Sequence, residues 1–199
     1  MQARHTTTQQ GSVTRAMREA RHAHRGGLVW ITGLSGAGKS TLAFRVEQLL
    51  YDAGCRTVVL DGDNIRHGLC ADLGFSDAAR AENIRRVGEV ARLFVDTGTI
   101  VLAAFISPFR TDRARVRALI GAADTIEVHC DCSIAVCEAR DVKGLYRRAR
   151  AGDIAQFTGI SSPYERPAHA DVHLDTGALG VDDCAAQVIA MLRKRGILD

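Results

Sequence analysis

Gly33-Leu34-Ser35-Gly36-Ala37-Gly38-Lys39-Ser40 is the stretch that decides the fold, and it follows the apolar run 28–32. It is a full match to G-x-x-x-x-G-K-[ST], the phosphate-binding loop (P-loop) that joins a strand to a helix. Its glycines let backbone N–H groups turn towards phosphate oxygens, and the helix N-terminus adds partial positive charge. Lys39 can reach the β- and γ-phosphates, and Ser40 can hold Mg²⁺. The stretch predicts a site for ATP or GTP.

Downstream of this loop, apolar runs of strand length alternate with longer helical patterns. That alternation is typical of a parallel sheet covered by helices, and continuous apolar runs indicate strands buried on both faces. We therefore predict an α/β fold with a mostly parallel five-stranded sheet and helices on both faces. The predicted strands are 28–32, 57–60, 99–105, 125–130 and 171–174, and the predicted helices are 40–53, 80–96, 112–120, 134–140 and 182–195.

Length and charge fit a single globular domain. The chain has 199 residues, 46% of them hydrophobic, which is enough for a sizeable core. A formal net charge of +3 gives no argument for a nucleic-acid or membrane partner. We assign residues 1–26 to a flexible N-terminal arm with a short helix and residues 27–199 to one domain. Within that domain the polar, Arg-rich stretch 142–167 is long for a connection and is predicted to be a mobile lid.

The six cysteines are spread through apolar or helical stretches, and no signal peptide is recognisable. This pattern favours free thiols in a cytoplasmic protein over a disulfide framework. His129 and Cys132 superficially offer zinc ligands. A closed zinc site is not predicted there, because no second ligand pair at metal spacing accompanies them.

Two carboxylates, Asp61 and Asp63, follow the second predicted strand. Open parallel sheets bind ligands at the carboxyl ends of their strands, so these side chains should lie beside the P-loop. One could support Mg²⁺ and the other could accept a proton from an attacking hydroxyl; the alternative is a helix cap. The chain has no N-K-x-D guanine signature, since Asn64 and Asn83 are each followed by Ile. A GTPase switch is therefore disfavoured.

Further segments resemble the adenylylsulfate kinase (APS kinase) family, in the family's order, over about residues 14–195. That family transfers the γ-phosphoryl group of MgATP to the 3′-hydroxyl of adenosine 5′-phosphosulfate (APS), giving PAPS and ADP in sulfate assimilation. The resemblance implies the P-loop kinase fold, APS as substrate, a homodimer, and a separate ATP sulfurylase upstream, with no nucleic acid or membrane involved. Besides the P-loop, the matching segments are 61–69, 74–76, 80–86, 105–113, 143–146 and 157–160.

The resemblance also implies a role for each matched residue. Lys39, Asp61, Asp63 and Ser107 would be catalytic, and Ser40 and Asp61 would hold the metal. The resemblance also offers Ser107 as a phosphoserine intermediate, whereas we expect direct in-line transfer, because the P-loop and Mg²⁺ already position the donor. The nucleotide contacts would be Gly33, Leu34, Ser35, Gly36, Ala37, Gly38, Lys39, Ser40, Thr41 and Arg140. The APS contacts would be Asp63, Arg66, Phe75, Arg80, Asn83, Arg86, Ile106, Ser107, Lys143 and Phe157, with Phe75 and Phe157 stacking on the adenine.

Three alternatives remain open at this point. Kinases of gluconate, shikimate or nucleoside monophosphates share the P-loop and lid. A nucleic-acid-dependent ATPase should show a basic stripe interleaved with aromatics, but aromatic residues make up only 5% of the chain. A catalytically silent domain would usually have a damaged P-loop, whereas residues 33–40 match the motif in full. Val142, Cys70 and Ser161-Ser162 depart from the family pattern.

Overall fold

Five parallel strands form one sheet in the order β2-β3-β1-β4-β5. The computed structural model describes residues 7, 9 and 11–199. The predicted fold class is confirmed, and every strand pair is parallel. The strands are β1 (Gly27–Thr32), β2 (Thr57–Asp61), β3 (Ile100–Ala104), β4 (Thr125–Asp131) and β5 (Val172–Asp175). The helices are α1 (Arg15–His22), α2 (Lys39–Asp52), α3 (Gly62–Arg66), α4 (Asp77–Asp96), α5 (Arg110–Ile120), α6 (Ile134–Arg140), α7 (Leu145–Arg150) and α8 (Val181–Lys194).

Alternate residues of the central strands build two separate cores. Val29 and Ile31 of β1 point to one face, where Leu42 of α2 and Val188 of α8 pack. Leu28 and Trp30 point to the other face, where α4 and α5 supply the cover. All six residues of β1 are buried, as expected for a central strand between two helical layers.

Side-chain capping explains two of the differences between the helices and the sequence prediction. Helix α4 begins at Asp77, three residues earlier than predicted, because the Ser76 hydroxyl accepts a hydrogen bond from the Ala79 N–H at 3.3 Å. The short helices α3 and α7 were not predicted. Each is about one and a half turns long, and Asp61 caps α3 through the N–H groups of Asp63 and Asn64.

The described part of the N-terminal arm contains the expected short helix, α1. Arg15 joins this helix to the amino-terminal edge of the sheet by donating to Asp124 at 2.7 Å and to the Gly26 carbonyl at 2.9 Å. Glu19 accepts from the Gly26 N–H at 2.9 Å. The part of the predicted arm at residues 1–6, 8 and 10 lies outside the described residues. Flexibility of the arm stays a prediction.

All six cysteines are free thiols, as expected, and all but Cys55 are buried. No helix in the described part of the chain is long and apolar enough to cross a membrane.

The carboxyl edge of the sheet gathers the sequence motifs in one place. The P-loop leaves β1, Asp61 ends β2, and the segment 105–109 leaves β3. Thr176 follows β5 and donates its N–H to the Asp131 carbonyl at the end of β4 at 2.9 Å. This edge is where open parallel sheets bind their ligands.

Candidate active site

The P-loop has the backbone of a phosphate cradle. Gly36 and Gly38 adopt φ values of +75° and +84°, which L-residues with a side chain rarely adopt. A Cβ atom on Gly36 would also lie only 3.0 Å from the Cys137 carbonyl oxygen. Lys39 Nζ donates to the Leu34 carbonyl at 2.6 Å across the loop. Burial lowers the pKa of Lys39 to about 8, so an anion in the loop would favour its charged form.

Ser40 and Asp61 bring two oxygen ligands together beside the P-loop. Ser40 Oγ donates to Asp61 Oδ2 at 2.6 Å, and the Asp61 side chain is buried. Oxygen ligands of this kind suit Mg²⁺, so the two residues predicted for the metal fit that ion. Asp61 Oδ1 also accepts from the Asp63 N–H at 3.0 Å, so the helix-cap role and the metal role fall on the same side chain.

Asp63 is placed differently from Asp61, because its side chain is exposed at the site rim. It forms an ion pair with Lys143, from the predicted lid. The structure therefore brings together two residues 80 positions apart that sequence reasoning had assigned to the same substrate.

Tyr146 fixes α7, the helix of the predicted lid, to the P-loop. Its hydroxyl donates to the Ser35 carbonyl at 2.9 Å, and its ring packs edge-to-face on Phe157 with centroids 5.0 Å apart. Asp141 caps α7 by accepting from the Tyr146 N–H at 3.0 Å. Tyr146 had no separate predicted role, although it lies in one of the matched segments.

Phe75 and Phe157 differ in exposure. Phe75 is 63% exposed and the Arg66 guanidinium lies 4.3 Å from its ring centroid, which leaves an aromatic face open to a ligand. Phe157 is 7% exposed and belongs to the main core. A stacking face on Phe157 would therefore have to be uncovered by movement of the surrounding segment. The predicted pair of stacking rings stays a prediction, with the open face on Phe75.

Arg80 donates hydrogen bonds to the Phe75 carbonyl and to both chain neighbours of Phe157. Its Nε donates to the Phe75 carbonyl at 2.8 Å, and its two terminal nitrogens donate to Thr158 Oγ1 and the Gln156 carbonyl. Helix α4 is thereby joined to the predicted lid at the residues on either side of Phe157.

Asn83 and Arg86 lie further along α4. The Asn83 side chain is buried, and its Oδ1 has no hydrogen-bond partner among the described residues, which leaves an acceptor for a donor group of a ligand. Arg86 instead binds both carboxylate oxygens of Asp72, at 2.7 and 2.8 Å, and also contacts Glu82. These partners raise the pKa of Arg86, and in this structure its guanidinium holds the loop before α4.

Ser107 is buried behind the site. Its hydroxyl accepts from Trp30 Nε1 at 3.1 Å and donates to Thr32 Oγ1 at 3.0 Å, while Thr32 donates to the Ile106 carbonyl at 2.7 Å. Its φ of +39° is unusual for a residue with a side chain, and Arg113 holds the turn by donating to the Ser107 carbonyl at 2.6 Å. The Ser107 hydroxyl is thus committed to a buried network.

Arg140 spans the opposite end of the P-loop. It donates to the Thr176 carbonyl at 2.7 Å and to the Gly36 carbonyl at 3.3 Å. This places Arg140, a predicted nucleotide contact, between the phosphate cradle and the segment after β5.

Comparison with known proteins identifies the family. The family model described as adenylylsulphate kinase matches residues 25–175. The chain belongs to the adenylylsulphate kinase family. It is 56% identical over 198 residues to the adenylyl-sulfate kinase of Acaryochloris marina, covering 100% of this chain and 97% of that protein. The prediction of the family is confirmed.

Solved structures agree with this assignment. The Mycobacterium tuberculosis APS kinase CysC, solved in complex with AMPPNP and APS, is 51% identical, with a TM-score of 0.82 over 85% of this chain and 99% of that one. A gluconokinase from Sinorhizobium meliloti matches with a TM-score of 0.54 at 18% identity, over 87% of this chain and 94% of that one. The second likeness shows the fold alone.

Proposed function

We propose that this protein transfers the γ-phosphoryl group of ATP to the 3′-hydroxyl of APS, forming PAPS and ADP. The observation that carries the proposal is the contact of Asp61 with both Ser40 of the P-loop and the Asp63 N–H. It joins a complete P-loop to the family's Asp-Gly-Asp-Asn-Ile-Arg segment, with one carboxylate on the nucleotide side and one at the rim.

The donor side is formed by residues 33–41. Lys39 supplies a point charge to the β- and γ-phosphates, and the inward N–H groups of the loop bind their oxygens. Ser40 and Asp61 would hold Mg²⁺, which when bound neutralises charge on the phosphates. Arg140 closes the far side of the nucleotide through its contacts with Gly36 and Thr176.

The acceptor side lies between the start of α4 and the predicted lid. The open ring of Phe75 stacks on the APS adenine, and Asn83 Oδ1 accepts from a hydroxyl of the ligand. Arg66 and Arg80 place positive charge beside Phe75, which suits the anionic phosphosulfate. Lys143 exchanges its pairing with Asp63 for the substrate, and Asp63 is then free to accept the proton of the attacking hydroxyl.

Transfer is direct from donor to acceptor. The burial of Ser107 and the hydrogen bonds of its hydroxyl to Trp30 and Thr32 support this route over a phosphoserine intermediate. The mobility of the lid, the homodimer, Mg²⁺ as the metal and a separate ATP sulfurylase remain predictions.

A coupled assay of ATP consumption tests the activity. We expect consumption to require APS and the product to be PAPS, identified by mass and by the position of its new phosphate. Gluconate, shikimate and nucleoside monophosphates serve as alternative acceptors, and single-stranded nucleic acid tests the ATPase alternative. Turnover that depends on any of these instead of APS would contradict the proposal, and absence of turnover with every acceptor would favour the silent domain.

A further inference from the structure

A cluster of metal-ligating side chains lies on the edge of the sheet, outside the residues assigned to either substrate. His129 and Asp131 belong to β4, and His173 belongs to β5, where it pairs in register with His129. Residues two apart on a strand point to the same face, so all three side chains meet on one side of the β4–β5 edge.

The three side chains are close enough to share one ion. One ligand atom from each lies within 4.8 Å of the others, and His173 Nε2 is 3.1 Å from Asp131 Oδ2. Ligands of a tetrahedral Zn²⁺ stand roughly 3.3 Å apart, so the widest pair would have to close by about 1.5 Å. His173 can supply part of that movement by side-chain rotation, because it is exposed.

The chemistry of the ligand set selects the class of metal. Two imidazoles and one carboxylate suit Zn²⁺, Co²⁺ or Ni²⁺, whereas Mg²⁺ and Ca²⁺ prefer oxygen ligands. His129 is 3% exposed, and burial lowers its pKa to about 4, so its ring is neutral at pH 7 and has a free electron pair for a metal.

Arg166 competes for the same carboxylate. Its guanidinium lies 3.2 Å from Asp131 Oδ2, the oxygen that His173 also contacts. The Arg166 side chain is 62% exposed, so it can leave at little cost when a cation arrives. Arg113, the other nearby cation, is already held by Glu127 and by the Ser107 and Glu165 carbonyls.

We propose that His129, Asp131 and His173 form a binding site for a divalent transition-metal ion, with a fourth position open to solvent. Arg166 occupies the carboxylate in the metal-free protein. Such an ion would join β4 to β5, the last strand pair of the sheet. From sequence, Cys132 was the neighbour of His129 that superficially offered a ligand; the sheet register supplies His173 and Asp131 instead.

Co²⁺ titration of the full chain without an affinity tag tests this site. The titration is carried out without nucleotide and with excess Mg²⁺, and is followed by visible absorption and by thermal unfolding. We expect one saturable site per chain, d–d bands of a nitrogen- and oxygen-ligated ion, and a rise in Tm, since an ion that binds only the folded state stabilises it. A thiolate-to-Co²⁺ charge-transfer band would place the ion on cysteine and overturn the proposal.

Four variants test whether Co²⁺ binds at the cluster of His129, Asp131 and His173. His173→Ala and Asp131→Asn should weaken Co²⁺ binding by about 10-fold or more. Arg166→Gln should tighten it, by up to about 5-fold, because a competing exposed cation is removed. The matched control is His169→Ala, which changes an exposed histidine outside the cluster and should bind Co²⁺ as the unchanged protein does. Equal binding by the protein and both ligand variants, or no saturable binding at millimolar Co²⁺, would contradict the site.

Discussion

Burial of Lys39 disfavours the charged form of its side chain. Its pKa is lowered to about 8 from a usual 10.5, so the ammonium form predominates at pH 7 and is lost as the pH rises through about 8. We expect kcat/KM for ATP to fall over that interval, because this ratio reports ionisation of the enzyme form that has not yet bound ATP. The measurement is a pH profile of kcat/KM for ATP at saturating APS.

Variants at Lys39 separate this effect from other ionisations. Lys39→Ala and Lys39→Arg should each remove most activity, since alanine has no charge and a planar guanidinium does not fit the phosphate cradle. Lys194→Ala is the matched control, because Lys194 is exposed on α8 and should leave the pH profile unchanged. Near-normal turnover by Lys39→Arg would be incompatible with the proposed role of the P-loop lysine.

Alanine and asparagine substitutions should distinguish Asp61 from Asp63 by their effects on stability. Asn replaces Asp well as a helix cap, so Asp61→Asn should lower kcat by roughly 10²-fold with little loss of stability. Asp61→Ala should lose about 1 kcal/mol of unfolding free energy in addition. Asp63→Asn and Asp63→Ala should each lower kcat by roughly 10²-fold and leave stability unchanged, because the Asp63 side chain is exposed.

Steady-state kinetics beside urea unfolding check all four variants. Asp52→Asn, at the exposed end of α2, is the control that should alter neither quantity. If activity and stability fell in parallel at both sites, the two carboxylates would be structural caps and the proposed division of roles would be wrong.

At the scale of elements, the lid and the start of α4 carry the two aromatic rings that the sequence treats as equivalent. Phe75→Ala should raise the KM for APS by about 5-fold to 150-fold, the range expected for loss of one stacked base, with the KM for ATP unchanged. Phe157→Ala should instead cost about 3–5 kcal/mol of unfolding free energy, because its ring is packed in the core against Tyr146.

Substrate titrations at a temperature where each variant is folded, together with urea unfolding, provide the measurement. Leu69→Ala, which truncates another exposed apolar side chain near α4, is the control for Phe75→Ala. An unchanged KM for APS in Phe75→Ala would show that the acceptor site has been placed on the wrong ring.

The strands and most helices were predictable from sequence, whereas the short helices α3 and α7 were not. Strand β1 and helix α2 have continuous apolar or helical patterns, and their predicted bounds agree within about two residues. Helix α7 contains only six residues, and its start depends on Asp141 and on the contact of Tyr146 with Ser35. A tertiary contact over 111 residues leaves no periodic signal in the sequence.

At the scale of the whole molecule, Arg113 connects β4, the segment after β3 and the predicted lid. Its guanidinium is buried and donates to Glu127 on β4, to the Ser107 carbonyl after β3, and to the Glu165 carbonyl at the end of the predicted lid. Arg113→Met should cost about 3–5 kcal/mol of unfolding free energy, since it leaves a mostly buried carboxylate and two carbonyls unpaired.

Urea unfolding of Arg113→Met beside Arg92→Met measures that cost. Arg92 is half-exposed and lies 3.6 Å from Glu89, so its loss should change the unfolding free energy by less than about 0.5 kcal/mol. Equal effects of the two changes would mean that Arg113 does not connect these parts of the molecule.

Some features of the candidate site were likewise predictable from sequence, and others were not. The P-loop and Asp61 are local signals, because strand, loop and helix follow one another along the chain. The pairing of Arg86 with Asp72 and the covering of Phe157 by Tyr146 depend on loop packing, and the residue types alone do not indicate either. Sequence therefore supplied the candidate residues, and the fold determines which of their faces are available.

The burial of Ser107 also constrains the order of events in a catalytic cycle. In the proposed direct transfer, the Ser107 hydroxyl stays between Trp30 and Thr32 and does not store a phosphoryl group while ADP departs and APS arrives. Both nucleotides must then occupy the protein together, so initial-rate plots should intersect as for a ternary complex and should not run parallel as for ping-pong exchange. For the same reason, radiolabel should not pass between ADP and ATP until the acceptor is added.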